Sequence, residues 1–145
     1  MTELVKHLFF YGPVVRGFGR GSKQLGIPTA NYPKEVVDQL PANIDVGVFC
    51  GFAQVENGEI HPMVMSIGFN PFFKNKLKSM ETHIIHKFER DFYGKTLKIL
   101  MTHFLRNEKN YDSLDALIQD IHNDIRTATE LVQKINLTDI VTYFQ

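Results

Sequence analysis

The sequence has one cysteine, no long apolar run and no net charge, and each shortage removes a class of protein. A single thiol, Cys50, cannot close an internal disulfide, and no cysteine pair offers a zinc-finger or redox spacing. A reducing compartment is the simplest setting, so the expected location is cytoplasmic and secretion is disfavoured. Nowhere do about eighteen apolar residues follow one another, so no membrane span is expected. Met1 to Phe10 carries Glu3, Lys6 and His7 around an apolar run too short for a signal peptide. Sixteen Lys plus Arg balance sixteen Asp plus Glu, which is not the positive excess of a general nucleic-acid binder. Any anion must therefore be held locally. Internal repeats and low-complexity tracts are absent too.

What remains is 145 residues with 43% hydrophobic and 22% charged side chains, enough to bury the core of one domain and too short for two. The texture is β first, then α, with the change near residue 112. Val46, Val48, Cys50 and Phe52 alternate with Gly47, Phe49, Gly51 and Ala53, the period of a strand packed on one face. Asn57-Gly58 then favours a tight hairpin, with Met63 to Ile67 as the returning strand. Thr82 to Phe88 and Leu97 to Leu105 read as strands joined by a second hairpin at Asp91-Phe92-Tyr93-Gly94-Lys95. A strand near His7 to Val15 and a short one after Asn31 bring the set to about six, enough for a small antiparallel barrel.

Beyond Tyr111, Leu114, Leu117, Ile118, Ile121, Ile125, Ala128, Leu131, Val132 and Ile135 recur at helical spacing. Asp112 or Ser113 can cap this helix, and Asp115 makes a box-like arrangement with Asp112. Asp120, Asp124 and Glu130 are expected on its solvated face, which suits packing on the barrel and not anionic lipid.

Three segments carry unusual chemistry. Gly17-Phe18-Gly19-Arg20-Gly21-Ser22-Lys23 combines backbone N–H groups free of side-chain cover with two cations, an anion cradle suited to phosphate. It is neither a Walker loop nor a dinucleotide fingerprint, because Lys23 follows Ser22 and Ser22 takes the third glycine's place. The same composition also describes a plain hairpin loop. In Pro28-Thr29-Ala30-Asn31 an extended backbone aims Thr29 and Asn31 the same way, either toward one Mg²⁺ whose shell nucleotide phosphates complete, or into local turn hydrogen bonds. In Met80-Glu81-Thr82-His83-Ile84-Ile85-His86, Glu81 is a candidate general base or a solvated strand end. His83 and His86 fall on opposite faces of a strand and read as structural, which argues against a zinc site. Arg106-Asn107-Glu108-Lys109-Asn110-Tyr111 is a polar connection able to lid a flat aromatic ligand or to serve as an ordinary loop. Cys50, inside a strand, is a small core residue.

Taken in order, Gly17 to Lys23, Leu25-Gly26-Ile27-Pro28-Thr29-Ala30-Asn31, Met80 to Ile84, Asp91-Phe92-Tyr93-Gly94 and Leu105-Arg106 resemble the riboflavin kinase family over nearly the whole chain. The likeness is strongest to the eukaryotic single-function form, since the nucleotidyltransferase module of the bacterial bifunctional enzymes would not fit in 145 residues. The resemblance implies a mainly β fold, a six-stranded antiparallel Greek-key barrel with a long C-terminal helix packed on it. It implies transfer of the ATP γ-phosphoryl group to the ribityl 5′-hydroxyl of riboflavin, giving FMN and ADP. The length makes 1–145 a single domain, and with no long unmatched apolar stripe demanding a partner a monomer is expected. By matching positions, Gly17, Gly19, Gly21, Ser22, Lys23, Pro28, Thr29, Ile84, His86 and Tyr93 would bind ATP. Thr29 and Asn31 would hold Mg²⁺, with Zn²⁺ or Mn²⁺ as substitutes, Glu81 would be the base, and Arg106, Lys109 and Tyr111 would meet the flavin. Asn107 stands where relatives carry proline, a change expected to loosen the lid. Two readings compete: a flavin or nucleotide carrier without transfer, and a barrel binding single-stranded nucleic acid through Phe10, Phe18, Phe72 and Phe73. Glu81, Thr29 and Asn31 together argue against the first, and zero net charge against the second.

Overall fold

The computed structural model describes residues 3–15, 29–42, 44, 46–69, 78–88, 92–109 and 111–145. Its strands are β1 (Glu3–Pro13), β2 (Ala30–Asn31), β3 (Gly47–Val55), β4 (Ile60–Phe69), β5 (Lys78–Ile84) and β6 (Thr96–Arg106). Its helices are α1 (Lys34–Val37), α2 (Leu114–Gln133) and α3 (Leu137–Ile140), the last followed by a 3₁₀ turn over Val141–Phe144. The strands form one six-stranded sheet in the order β1-β6-β3-β4-β5-β2, antiparallel at every pair. A bridge from Val15 to Asn31, with the Val15 N–H donating to the Asn31 carbonyl at 2.9 Å, draws the two edges of this curled sheet together. The mainly β barrel-like architecture with one long C-terminal helix is thus as expected.

The Greek-key order also corrects the second hairpin. Strands β3, β4 and β5 follow one another, and β6 returns to lie beside β3, so that β5 and β6 are not neighbours. Asp91 lies outside the described residues. The remainder of that turn extends the β1–β6 ladder, where the Gly94 N–H donates to the Val14 carbonyl at 2.8 Å and the Val14 N–H to the Lys95 carbonyl at 3.0 Å. The β3–β4 hairpin is where the Asn57-Gly58 pair puts it, closed by the Gly58 N–H donating to the Val55 carbonyl. Strand β5 ends at Ile84, short of Phe88. Ile84 pairs with Met63, and the next residue along β4, Pro62, accepts from the Ile85 N–H but has no N–H of its own to continue the ladder.

Each face of β3 is buried, not one. Phe49 and Ala53 join Met63, Met65, Ile67, Leu97, Ile99 and Met101 in the barrel interior. Val48, Cys50 and Phe52 join Leu100 and Leu105 on the outer face, under Ala128 and Val132 of α2. Gly51 permits the crossing of β3 over β6, since a Cβ there would run into the Leu100 carbonyl oxygen. Helix α1, which carries no long periodic signal, sends Val36 and Val37 into the interior cluster.

Helix α2 is capped by Ser113, whose Oγ accepts from the Ala116 N–H at 3.1 Å. With Ser113 as the cap, Asp112 and Asp115 do not form a capping box. Asp115 sits in the first turn, where its charge complements the helix dipole. Asp124 is buried at 8% exposure, against the expectation of a solvated face, because a guanidinium from β6 meets it. No described helix is long and apolar enough to cross a membrane.

Candidate active site

A break in strand register builds the site. Phe104 pairs with Phe49 and Arg106 with Val48, so Leu105 is an extra residue on β6, a bulge. Without it, Arg106 would follow Phe104 to the barrel interior, two residues on and on the same face. With it, Phe104 packs on the interior cluster, Leu105 faces α2, and Arg106 emerges beside Val48 on the outer face.

From Arg106 the register defines a row across the sheet. Arg106 pairs with Val48, Val48 with Ser66, Ser66 with Glu81, and Glu81 with Asn31, each on a neighbouring strand. Paired residues point to one side of a sheet, so this row lays a guanidinium, a hydroxyl, a carboxylate and an amide along one face. Leu117, Ile121, Asp124 and Ile125 of α2, with Arg106, Glu108, Lys109 and Tyr111, meet that face. Here lies a cleft of about 330 Å³, lined by the polar residues Thr29, Ser66, Glu81, His83, Arg106, Glu108, Lys109, Tyr111 and Asp124 and by the apolar residues Val48, Val64, Leu117, Ile121 and Ile125.

Helix α2 fixes the cations of the connection through two carboxylates one turn apart. Arg106 donates two hydrogen bonds to Asp124, Nε to Oδ1 at 2.9 Å and Nη2 to Oδ2 at 2.8 Å, a fork that holds both groups where little water reaches them. The bond to Asp124 and its charge keep Arg106 protonated, pushing its pKa above the ordinary value. Arg106 Nη1 also donates to the Asn107 carbonyl at 3.1 Å, so a backbone contact fastens the start of the connection. Asp120 accepts from Lys109 Nζ at 2.6 Å and from the Tyr111 hydroxyl at 2.9 Å, and those two bonds, Lys109's first, hold its pKa below the usual carboxylate value. Burial first, then the bond to Asp120, pushes Tyr111 up to about 12, and the Lys109 ammonium lies 5.4 Å from its ring centre. On the opposite bank, Ser66 Oγ donates to Glu108 Oε1 at 2.9 Å.

Five residues singled out from sequence, Thr29, Glu81, Arg106, Lys109 and Tyr111, therefore line one cleft. Asn31 stands opposite Glu81 in register at the rim of the row and is not among the lining residues. Ile84 turns into the barrel interior. His86 lies beyond β5 with its ring stacked on His61 at 3.9 Å and edged by Phe88, a partner set in which burial, then the His86 charge, lowers the His61 pKa. Tyr93 is exposed in the turn beside Val14. These three are not among the residues that line the cleft. Gly17, Gly19, Gly21, Ser22, Lys23 and Pro28 lie outside the described residues, as do Phe18, Phe72 and Phe73. Among the described residues no cluster of His, Cys, Asp and Glu is arranged to hold a metal by itself, and Cys50 is fully buried, its thiol pushed up to about 12 by burial.

Sequence reasoning passed over Ser66, Glu108, Asp120 and Asp124, and it weighed His83 as structural. Ser66 had a faint signal, a hydroxyl inside an apolar strand run. Asp120 and Asp124 had none, because a carboxylate on an amphipathic helix reads as solvated until its partner is known.

A model of the flavokinase family, described as riboflavin kinase, matches residues 4–132. The chain is 55% identical over 131 residues to the riboflavin kinase of Homo sapiens, covering 89% of this chain and 84% of that one. It is 55% identical over 134 residues to that of Mus musculus, covering 90% and 86%. Among solved structures it resembles riboflavin kinase from Trypanosoma brucei, with a TM-score of 0.71 at 30% identity over 93% of this chain and 85% of that one.

Proposed function

The chain belongs to the riboflavin kinase family, and from that premise we propose that it transfers the γ-phosphoryl group of ATP to the ribityl 5′-hydroxyl of riboflavin, releasing FMN and ADP. The observation that carries this reading is the gathering of Glu81, Thr29 and the Arg106–Tyr111 connection around one cleft with an apolar wall. In-line phosphoryl transfer needs placement and charge neutralisation more than covalent chemistry. Glu81, between Ser66 and Asn31 in the row, accepts the hydroxyl proton as the oxygen attacks. Arg106, Lys109 and Tyr111 receive the flavin, and Val48, Val64, Leu117, Ile121 and Ile125 keep water from its ring. The glycine loop from Gly17 to Lys23, with Pro28, Thr29, Ile84, His86 and Tyr93, binds the nucleotide.

Thr29 in the cleft and Asn31 opposite Glu81 offer neutral oxygens beside a carboxylate, a hard donor set that fits Mg²⁺ or Mn²⁺ better than Zn²⁺. Thr29 and Asn31 would hold that ion, which when bound neutralises charge on the phosphate oxygens. Replacing either by Ala is expected to raise the Mg²⁺ concentration needed for half-maximal turnover by about tenfold or more while the melting curve stays in place, each lost ligand being a charge-assisted contact. Parental activity of both variants at low Mg²⁺ would remove this metal assignment. The activity itself is tested by incubation with riboflavin and Mg-ATP, followed by chromatography. FMN is the expected product, and riboflavin bound but never converted would leave a carrier in place of an enzyme.

A further inference from the structure

We propose that Ser66 and Glu108 form the subsite for the polyol chain of the substrate, a hydroxyl and a carboxylate that grip neighbouring hydroxyl groups between the flavin ring and the phosphorylated end. The inference deepens the kinase reading above and rests on it.

The row across the sheet gives the argument. Neighbouring strands lie about 4.8 Å apart, so Ser66 stands one strand from Glu81 and two strands, about 10 Å, from Arg106. A flavin whose ring lies by Arg106, Lys109 and Tyr111, and whose terminal hydroxyl reaches Glu81, must lay its connecting chain across Val48 and Ser66. Of the row's residues, Ser66 alone carries a hydroxyl. Its proton goes to Glu108 Oε1, which leaves the serine oxygen to accept from the ligand. Glu108 keeps lone pairs on both oxygens for the donors of a vicinal diol. Room for this carboxylate is built into β4. A Cβ at Gly68 would stand 2.7 Å from Glu108 Oε1 and 2.9 Å from Oε2, so the glycine leaves the carboxylate a seat against the strand. Both residues line the cleft that holds Glu81. The competing role is mechanical, with Glu108 as a latch fastening the connection to β4.

Two probes separate the roles. Riboflavin carries the polyol, and lumiflavin has the same ring with a methyl group in its place. Binding of each to the full chain is followed by quenching of flavin fluorescence, with melting curves taken on the same samples. Glu108→Gln is expected to weaken riboflavin by about tenfold, the loss of a charged hydrogen-bond acceptor, and to leave lumiflavin within about twofold. Ser66→Ala should show the same pattern at smaller size, and it keeps the test open should Glu108→Gln fail to fold. Equal weakening of both flavins would make the pair a latch and overturn the proposal, as would unchanged riboflavin affinity in folded variants. A parental chain that binds neither flavin would instead strike down the underlying kinase reading, and the subsite with it.

Discussion

The two faces of the sheet are made by the same strands and behave as different materials. Inward, Met63, Met65, Ile67, Leu97, Ile99 and Met101 are wholly sequestered in a dry cluster. Outward, α2 covers Cys50, Phe52 and Leu100 with Ala128 and Val132 but leaves the sheet at its other end, where Ser66, Glu81, His83 and Arg106 surround a cleft. Alternation along a strand supplies an inner and an outer set everywhere. Chemistry is possible only where the outer set is polar and the cover stands off. The inner face therefore answers for stability and the uncovered outer patch for activity, and substitutions on adjacent residues should fall into opposite classes.

The contrast is broken most severely at Glu81. Glu81→Gln keeps the shape of the carboxylate and cannot take a proton, so single-turnover FMN formation should fall by about 10² to 10⁴, or roughly 3 to 5.5 kcal/mol of transition-state stabilisation. Flavin affinity and melting temperature should scarcely move, and a folded variant working at the parental rate would refute the base assignment.

Across the β4–β5 pair, Met65→Ala removes an inner side chain with no exposure at all. It should cost about 2 to 5 kcal/mol in urea denaturation while turnover per folded molecule is kept. A selective loss of turnover would show that the faces are not independent.

Asp124→Asn tests the seam between them. Arg106 would lose the charge of its forked partner, costing about 1.5 to 3 kcal/mol of stability and weakening flavin binding together, since one pair serves packing and site alike. Denaturation and flavin titration on the same protein check the coupling.

The smallest effect is expected at Asp120. Its pKa is depressed by Lys109 and Tyr111, so its contribution is present above its ordinary value of 3.8 and fades as pH falls through the lowered one. Tyr111 has the opposite sign: its pKa is raised, so its contribution holds below 10 and is lost as pH rises toward about 12. Asp120→Asn should therefore leave the neutral range almost untouched and bring the Tyr111 ionisation part of the way down in an ultraviolet titration. The shift is partial because burial is the larger cause.

Local pattern was enough for the main strands and the long helix of this chain, and not for the short helices α1 and α3. Alternation in β3, the Asn57-Gly58 turn and the three-and-four spacing of α2 are properties of neighbouring residues, and so are the motifs around Thr29, Glu81 and Arg106 that carry the family likeness. Partner choice was beyond them. Tyr93-Gly94 has the composition of a hairpin, yet β6 lies beside β3 and β1, because a sheet edge is won by packing across the whole molecule. The extra residue at Leu105 turns Arg106 from the interior to the cleft, and no pattern along β6 announces it, since a bulge exists only relative to the strand opposite. Asp124 is a buried ion-pair partner for the same reason, its guanidinium being 18 residues away in the chain and 2.8 Å away in space. Periodicity is written in sequence neighbours, whereas register, burial and pairing are relations between distant segments, and the site is made of those relations.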